Sequence, residues 1–131
     1  MDIRVLLAKY LTYFITTIVF AQATITIKEN TTWSNDITLS NSVNILAGAT
    51  LTINEGVDVY IEFVDIDDDD TGDIEISVEG ALYVAGTQDK VVSIKPAQNS
   101  ANKNHWRGVA IHKSQDLSRI EFLSIYNARQ G

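Results

Sequence analysis

Two short stretches of this chain say nearly the same thing, and their recurrence restricts the fold more than any other feature. The first, Ile45 to Gly56, reads Ile-Leu-Ala-Gly-Ala-Thr-Leu-Thr-Ile-Asn-Glu-Gly. The second, Val78 to Thr87, reads Val-Glu-Gly-Ala-Leu-Tyr-Val-Ala-Gly-Thr. Each enters through Gly-Ala, alternates apolar residues along a short strand (Leu51 and Ile53; Leu82 and Val84), and leaves at a glycine (Gly56; Gly86). A unit this small cannot bury its own apolar face. Its recurrence implies coils stacked on one another, each covering the next.

The remaining segments have the same character. Ile37/Leu39, Val43/Ile45, Val57/Val59/Ile61/Phe63, Ile74/Ile76/Val78, Val92/Ile94 and Ile120/Phe122 place apolar residues at every second position, the period of a strand with one buried face. A sustained helical stripe is absent beyond residue 23. Leu117 to Ala128 comes nearest, and it reads equally well as bent strands. Sandwiches favour Asn-Gly or Asp-Gly hairpin turns, and neither dipeptide occurs. The expectation is an all-β solenoid with coils of roughly 20 to 30 residues.

The first 23 residues read as an address. Arg4 and Lys9 precede an apolar run from Tyr10 to Phe20, and Ala21-Gln22-Ala23 is a small-x-small cleavage pattern. A membrane span needs about 20 apolar residues and this run is shorter. The expected domains are a signal peptide, 1–23, and a β-helix domain, 24–131, with an N-terminal cap strand at about 24–36 and an acidic insert at 65–73. The protein is expected to be secreted or on the cell surface, with the periplasm as an alternative, and to keep no stable membrane span after cleavage. Asn30-Thr31-Thr32 matches the N-glycosylation acceptor pattern. Trp33 reads as a packing residue of the cap.

Composition narrows the partners. The net charge of -7 argues against nucleic acid, which calls for clustered Lys and Arg. With no cysteine among 131 residues there is no disulfide framework, thiolate metal site or thiol nucleophile.

Thr32-Trp33, Gly48 to Val57, Glu79 to Thr87, His105 to Ile111 (His-Trp-Arg-Gly-Val-Ala-Ile) and Ile125 to Ala128 (Ile-Tyr-Asn-Ala) together carry a resemblance. The chain resembles the N-terminal coils of secreted bacterial parallel β-helix proteins, the Bacteroidetes-type surface proteins of the pectate-lyase-like superfamily. The resemblance spans about Thr32 to Ala128. It implies a right-handed parallel β-helix of about three to four short coils, a truncated or incomplete stack, and export. In such proteins Trp-x-Gly marks the start of a strand, so Trp106 is expected to pack and Gly108 to bend. Members are usually longer, and no cap follows Ile125 to Ala128. The last coil is therefore expected to continue in a longer parent or to be covered by another chain, with end-to-end self-association as one form of this. Polysaccharide lyases on this fold combine Ca²⁺-binding acids with an Arg or Lys base. Arg107, Lys113, Arg119 and Arg129 are the bases present, without a matching motif.

The second landmark is Asp65-Ile-Asp-Asp-Asp-Asp-Thr-Gly-Asp-Ile-Glu, Asp65 to Glu75. Oxygens at alternate positions around a Gly turn suit a hard cation, and Asp67, Asp69, Thr71, Asp73 and Glu75 are the expected Ca²⁺ ligands. The position of a bidentate Glu falls on Val78, with Glu79 one residue late, and no helices flank the loop. The competing reading is a solvated, self-repelling insert. His105 and His112 lack an acidic partner at ligand spacing, so neither is expected to serve catalysis.

The functional expectation is an exported, non-catalytic surface or extracellular module. It would serve as a structural spacer or bind an extracellular polysaccharide or a cell-surface protein. The alternative is the N-terminal part of a polysaccharide lyase or hydrolase of the pectate-lyase-like type. Ice binding, a third class, needs repeated Thr-x-Thr ladders, and only Thr24-x-Thr26 and Thr50-x-Thr52 occur.

Overall fold

The computed structural model describes residues 23–99 and 102–130, so the expected leader lies outside the described residues except for Ala23. Strand is the sole regular element among the described residues. The first coil holds β1 (Ile25–Ile27), β2 (Thr31–Trp33) and β3 (Ile37–Leu39); the second holds β4 (Val43–Ile45), β5 (Thr50–Asn54) and β6 (Asp58–Ile61). The third holds β7 (Glu75–Val78), β8 (Ala81–Ala85) and β9 (Val92–Pro96). The fourth holds β10 (Trp106–Ile111), β11 (Arg119–Glu121) and β12 (Leu123–Ile125), and β13 (Ala128–Gln130) opens a fifth.

Strands at the same place in successive coils lie side by side. The first sheet runs β1-β4-β7-β10-β13, the second β2-β5-β8-β11 and the third β3-β6-β9-β12. Every pairing is parallel. Parallel neighbours need a long crossover, and here the rest of the coil supplies it. The chain is a short parallel β-helix.

The two Gly-Ala stretches meet as expected, with Leu51 opposite Leu82 and Ile53 opposite Val84. Period-two alternation turns each inward residue onto its counterpart one coil on. In the first sheet Val43 stacks on Ile76 and Ile45 on Val78; in the third, Ile37 stacks on Val59 and Val59 on Ile94. Leu51, Ile53, Val59, Ile61, Val78, Val84 and Ile94 are essentially fully buried. Burying one such side chain contributes about 1.5–3 kcal/mol, and these rows, with Val57, Ile74 and Trp106 packed among them, form the core of the described residues.

Polar corners fasten each coil to the next. Thr50 N–H donates to Asn30 Oδ1 at 3.0 Å, Asn54 Nδ2 to Ser34 Oγ at 3.0 Å, and Asp58 N–H to Asp36 Oδ1 at 2.9 Å. These partners are 20, 20 and 22 residues apart, which is one plain coil. Glu75 N–H reaches Ser42 Oγ across 33 residues, because the acidic insert lengthens that coil.

Three details refine the sequence reading. Residues 25–33 form the outermost rungs of two sheets, and Trp33 packs on the core opposite Ile53. Trp106 is buried, whereas Gly108 lies inside β10 with φ of 113° instead of forming a bend between strands. Phe122 departs from the expected alternation. It sits at the corner between β11 and β12 with φ of 49° and is 55% exposed, because the chain turns there from the second sheet to the third.

Candidate functional site

The acidic insert leaves the second coil after β6 and returns into β7. Its neck is closed by two hydrogen bonds: Asp73 N–H donates to Val64 C=O at 2.7 Å, and Ile66 N–H donates to Asp73 Oδ2 at 2.7 Å. Inside the loop the carboxylates organise the backbone. Asp65 accepts from Asp69 N–H (3.2 Å) and Asp70 N–H (2.8 Å), while Asp69 Oδ1 accepts from Thr71 N–H (2.9 Å) and Thr71 Oγ1 (2.6 Å). Asp68 and Asp70 take positive φ, 59° and 65°, a conformation that short polar side chains tolerate better than most.

The neighbouring loop braces the insert. Gly72 N–H donates to Asn104 C=O at 2.8 Å, and Asn102 Nδ2 donates to Asp70 C=O at 3.1 Å. At Gly72 the backbone presses on the His105 carbonyl so closely that a Cβ would overlap it. This glycine serves a close approach, since its φ is not positive.

Asp73 is 9% exposed and carries the loop's strongest attachments. Its Oδ1 accepts from Arg107 Nη2 at 3.0 Å, and Arg129 Nη2 lies 3.7 Å away. The Ile66 N–H, then the Arg107 guanidinium, hold its carboxyl below the ordinary carboxylate range against the opposing effect of burial. Asp69 is also lowered, chiefly by the Thr71 hydroxyl and N–H. Asp67 is raised, first by partial desolvation and then by the charges of Asp69 and Asp73. Carboxylate crowding of this kind is what a bound cation relieves.

Asp65, Asp67 and Asp73 each turn a carboxylate oxygen to within 4.8 Å of the others, a grouping able to hold a metal ion. Of the expected ligands, Asp67 and Asp73 meet in this group. Asp69 and Thr71 are engaged with each other, and Glu75 stands at the first position of β7. Asp65 joins the group without having been among the expected ligands. Its place two residues before Asp67, on the same alternation, was the signal that could have found it.

The histidines are separate. His105 is 1% exposed, its Nε2–H donates to Ile61 C=O at 2.8 Å, and its ring lies 5.6 Å from that of Phe63. Its Nδ1 has no hydrogen-bond partner. His112 is exposed and shares a 2.9 Å hydrogen bond between its Nε2 and Ser77 Oγ. Among the bases, Arg107 and Arg129 face Asp73 and Arg119 pairs with Glu121.

Two shallow grooves lie on the outside of the helix. One, of about 270 Å³, crosses the first sheet past Ser42, Asn44, Asp73, Glu75, Ser77 and Arg107. The other, of about 360 Å³, lies along the third sheet and includes Tyr60, Lys95, Gln98, Asn99, Tyr126 and Asn127. No helix of the described residues is long and apolar enough to cross a membrane. No family model, no curated protein and no solved structure matches the chain.

Proposed function

We propose that the chain is an exported, non-catalytic β-helix module, a rigid spacer or a binding face for an extracellular glycan or a cell-surface protein. The observation that carries this reading is the pairing of Asp73 with both Arg107 and Arg129. A lyase base must be free to take a proton from substrate. Here the two arginines nearest the acidic loop are committed to a carboxylate beneath them. The acidic loop, on this reading, is a weak Ca²⁺ site that stiffens one corner of the coil.

The second reading is the N-terminal part of a polysaccharide lyase or hydrolase. What favours it is the groove across the first sheet, which gathers Asp73, Glu75 and Arg107. The test is incubation of the full chain with polygalacturonate and with neutral polysaccharides, with and without Ca²⁺, following chain length and new reducing or unsaturated ends. Intact polymer supports the non-catalytic module. Cleavage that disappears in Arg107→Ala overturns it in favour of the enzyme.

A further inference from the structure

The outward face of the third sheet carries a row that no expectation from the sequence anticipated. Thr38 stands opposite Tyr60, and Tyr60 opposite Lys95. Tyr126 N–H donates to Ile94 C=O at 2.9 Å, which extends the ladder past Ile125 and places Tyr126 beside Lys95. Successive coils thus present Tyr, Lys and Tyr in one line along the helix axis. The two tyrosine positions are two strand spacings apart, roughly 10 Å. Gln98 and Asn99 rise beside this line, and Asn127 closes it.

The charge in the groove is internally satisfied. Lys95 Nζ lies 3.3 Å from Asp58 and 5.4 Å from the centre of the Tyr60 ring, so this ammonium is pinned over one ring. Tyr126, at 49% exposure, leaves its ring open. Asn127 already donates its Nδ2–H to Asn102 C=O at 2.9 Å. What remains for a ligand is an aromatic surface, the two carboxamides of Gln98 and Asn99 that both donate and accept, and no uncompensated charge. Small-molecule sites combine apolar surface with a few placed polar groups in this way.

Resting on the reading of the chain as a non-catalytic binding module, we infer that this groove binds a neutral, extended glycan. Tyr126 stacks on the C–H face of one sugar, and the exposed carboxamides of Gln98 and Asn99 exchange hydrogen bonds with its hydroxyls. A hydroxyl is donor and acceptor at once, and carboxamides answer both roles. A proline-rich segment also docks on aromatic grooves, yet its proline rungs offer no donors to use those carbonyls. An acidic glycan needs a free cation, and Lys95 is already paired. The roughly 10 Å step between Tyr60 and Tyr126 suits a chain that repeats every two sugars, with Tyr60 and its lysine marking the far end.

The test titrates the full chain with neutral β-linked gluco-, xylo- and manno-oligosaccharides, with oligogalacturonate and a proline-rich peptide as comparators. Calorimetry reads affinity and NMR reads which resonances move. Tyr126→Ala is expected to weaken binding of a neutral oligosaccharide about tenfold. Tyr83→Ala, on the second sheet, is expected to leave it unchanged. Equal circular dichroism and thermal midpoints for the variants exclude a folding defect as the cause. Preference for oligogalacturonate or the peptide, equal binding by Tyr126→Ala, or no binding to any neutral oligosaccharide each overturns the inference. Cleavage of an oligosaccharide overturns the module reading instead, so the two failures are distinct.

Discussion

Asp73 and Arg107 are 34 residues apart in sequence, and their side chains meet at 3.0 Å. The pair joins the return of the acidic insert to the first strand of the fourth coil. Asp73 is nearly buried while Arg107 keeps 47% of its side chain exposed, so solvent weakens the attraction more than the burial of the acid alone suggests. The same carboxylate also accepts the Ile66 N–H, which makes it the keystone of the loop neck.

Asp73→Ala is expected to cost about 2 kcal/mol, because it orphans the Ile66 N–H and releases two guanidiniums at once. Asp73→Asn keeps an acceptor for Ile66 and is expected to cost roughly half as much. Urea melts of the two variants beside Arg107→Ala check the order. Equal loss in all three would mean that the ion pair, not the backbone bond, dominates.

The pH dependence follows from opposite shifts within one loop. Asp73 and Asp69 lie below the ordinary carboxyl value, so their contribution is present above the unfolded pKa of about 3.9 and is lost as pH falls through their folded values. Asp67 is raised, so its ionised form opposes folding at neutral pH and that opposition fades on acidification through its folded value. The thermal midpoint is expected to hold or rise slightly on approaching the unfolded Asp value from neutral pH, then fall below about pH 4. Asp67→Asn should remove the rise and keep the fall, while Asp73→Asn should blunt the fall. Melting curves across the range, for each variant, decide this.

Much of the stack was legible in advance, for a physical reason. Leu51 and Leu82 sit on alternating strands bounded by Gly and Ala, and period-two alternation needs only local sequence to be seen. Corners were harder. Phe122 keeps the alternation in sequence yet becomes a corner, because a bend that switches sheets is set by where the next rung must lie. The acidic loop was visible as a composition, and its ligand grouping was not. Asp69 is drawn to Thr71 and Asp73 to Arg107, and the second of these contacts crosses between coils. The Tyr60–Lys95–Tyr126 row was invisible for the same reason, since its members become neighbours only after inserts of unequal length are taken up.

Gly80 tests the tight packing at a coil corner. Its Cα faces the carbonyls of Ala49 and Leu46 with no room for a Cβ, and both obstacles are backbone. Gly80→Ala must push two coils apart or twist the turn, so a loss of about 1–3 kcal/mol is expected. Gly48→Ala is a useful contrast: its surroundings are open, but its φ of 86° strains any side-chain-bearing residue. Chemical denaturation of both variants separates overlap from backbone strain. A Gly80→Ala chain as stable as the parent would show that the corner is looser than these contacts imply.

Calcium gives the most direct test of the acidic loop. Asp65, Asp67 and Asp73 offer three converging carboxylates, yet Asp73 already serves Arg107 and Asp65 already accepts two backbone N–H groups. A carboxylate has about four acceptor positions, so these duties leave room for a cation without leaving a strong one. The expected dissociation constant is on the order of 10⁻⁴ to 10⁻³ M, the range of weak extracellular Ca²⁺ modules. At tenfold excess over that constant the folded state gains about 1.4 kcal/mol, which a thermal melt detects. Mg²⁺, which demands tighter octahedral geometry and gives up water reluctantly, should do less. Asp67→Asn removes the one carboxylate of the three that has no structural duty of comparable strength, so it should abolish the calcium heat while leaving the calcium-free melt unchanged or slightly raised. A parent chain that gives no heat and no shift would return the loop to a self-braced insert, held by Asp73 and its arginines alone.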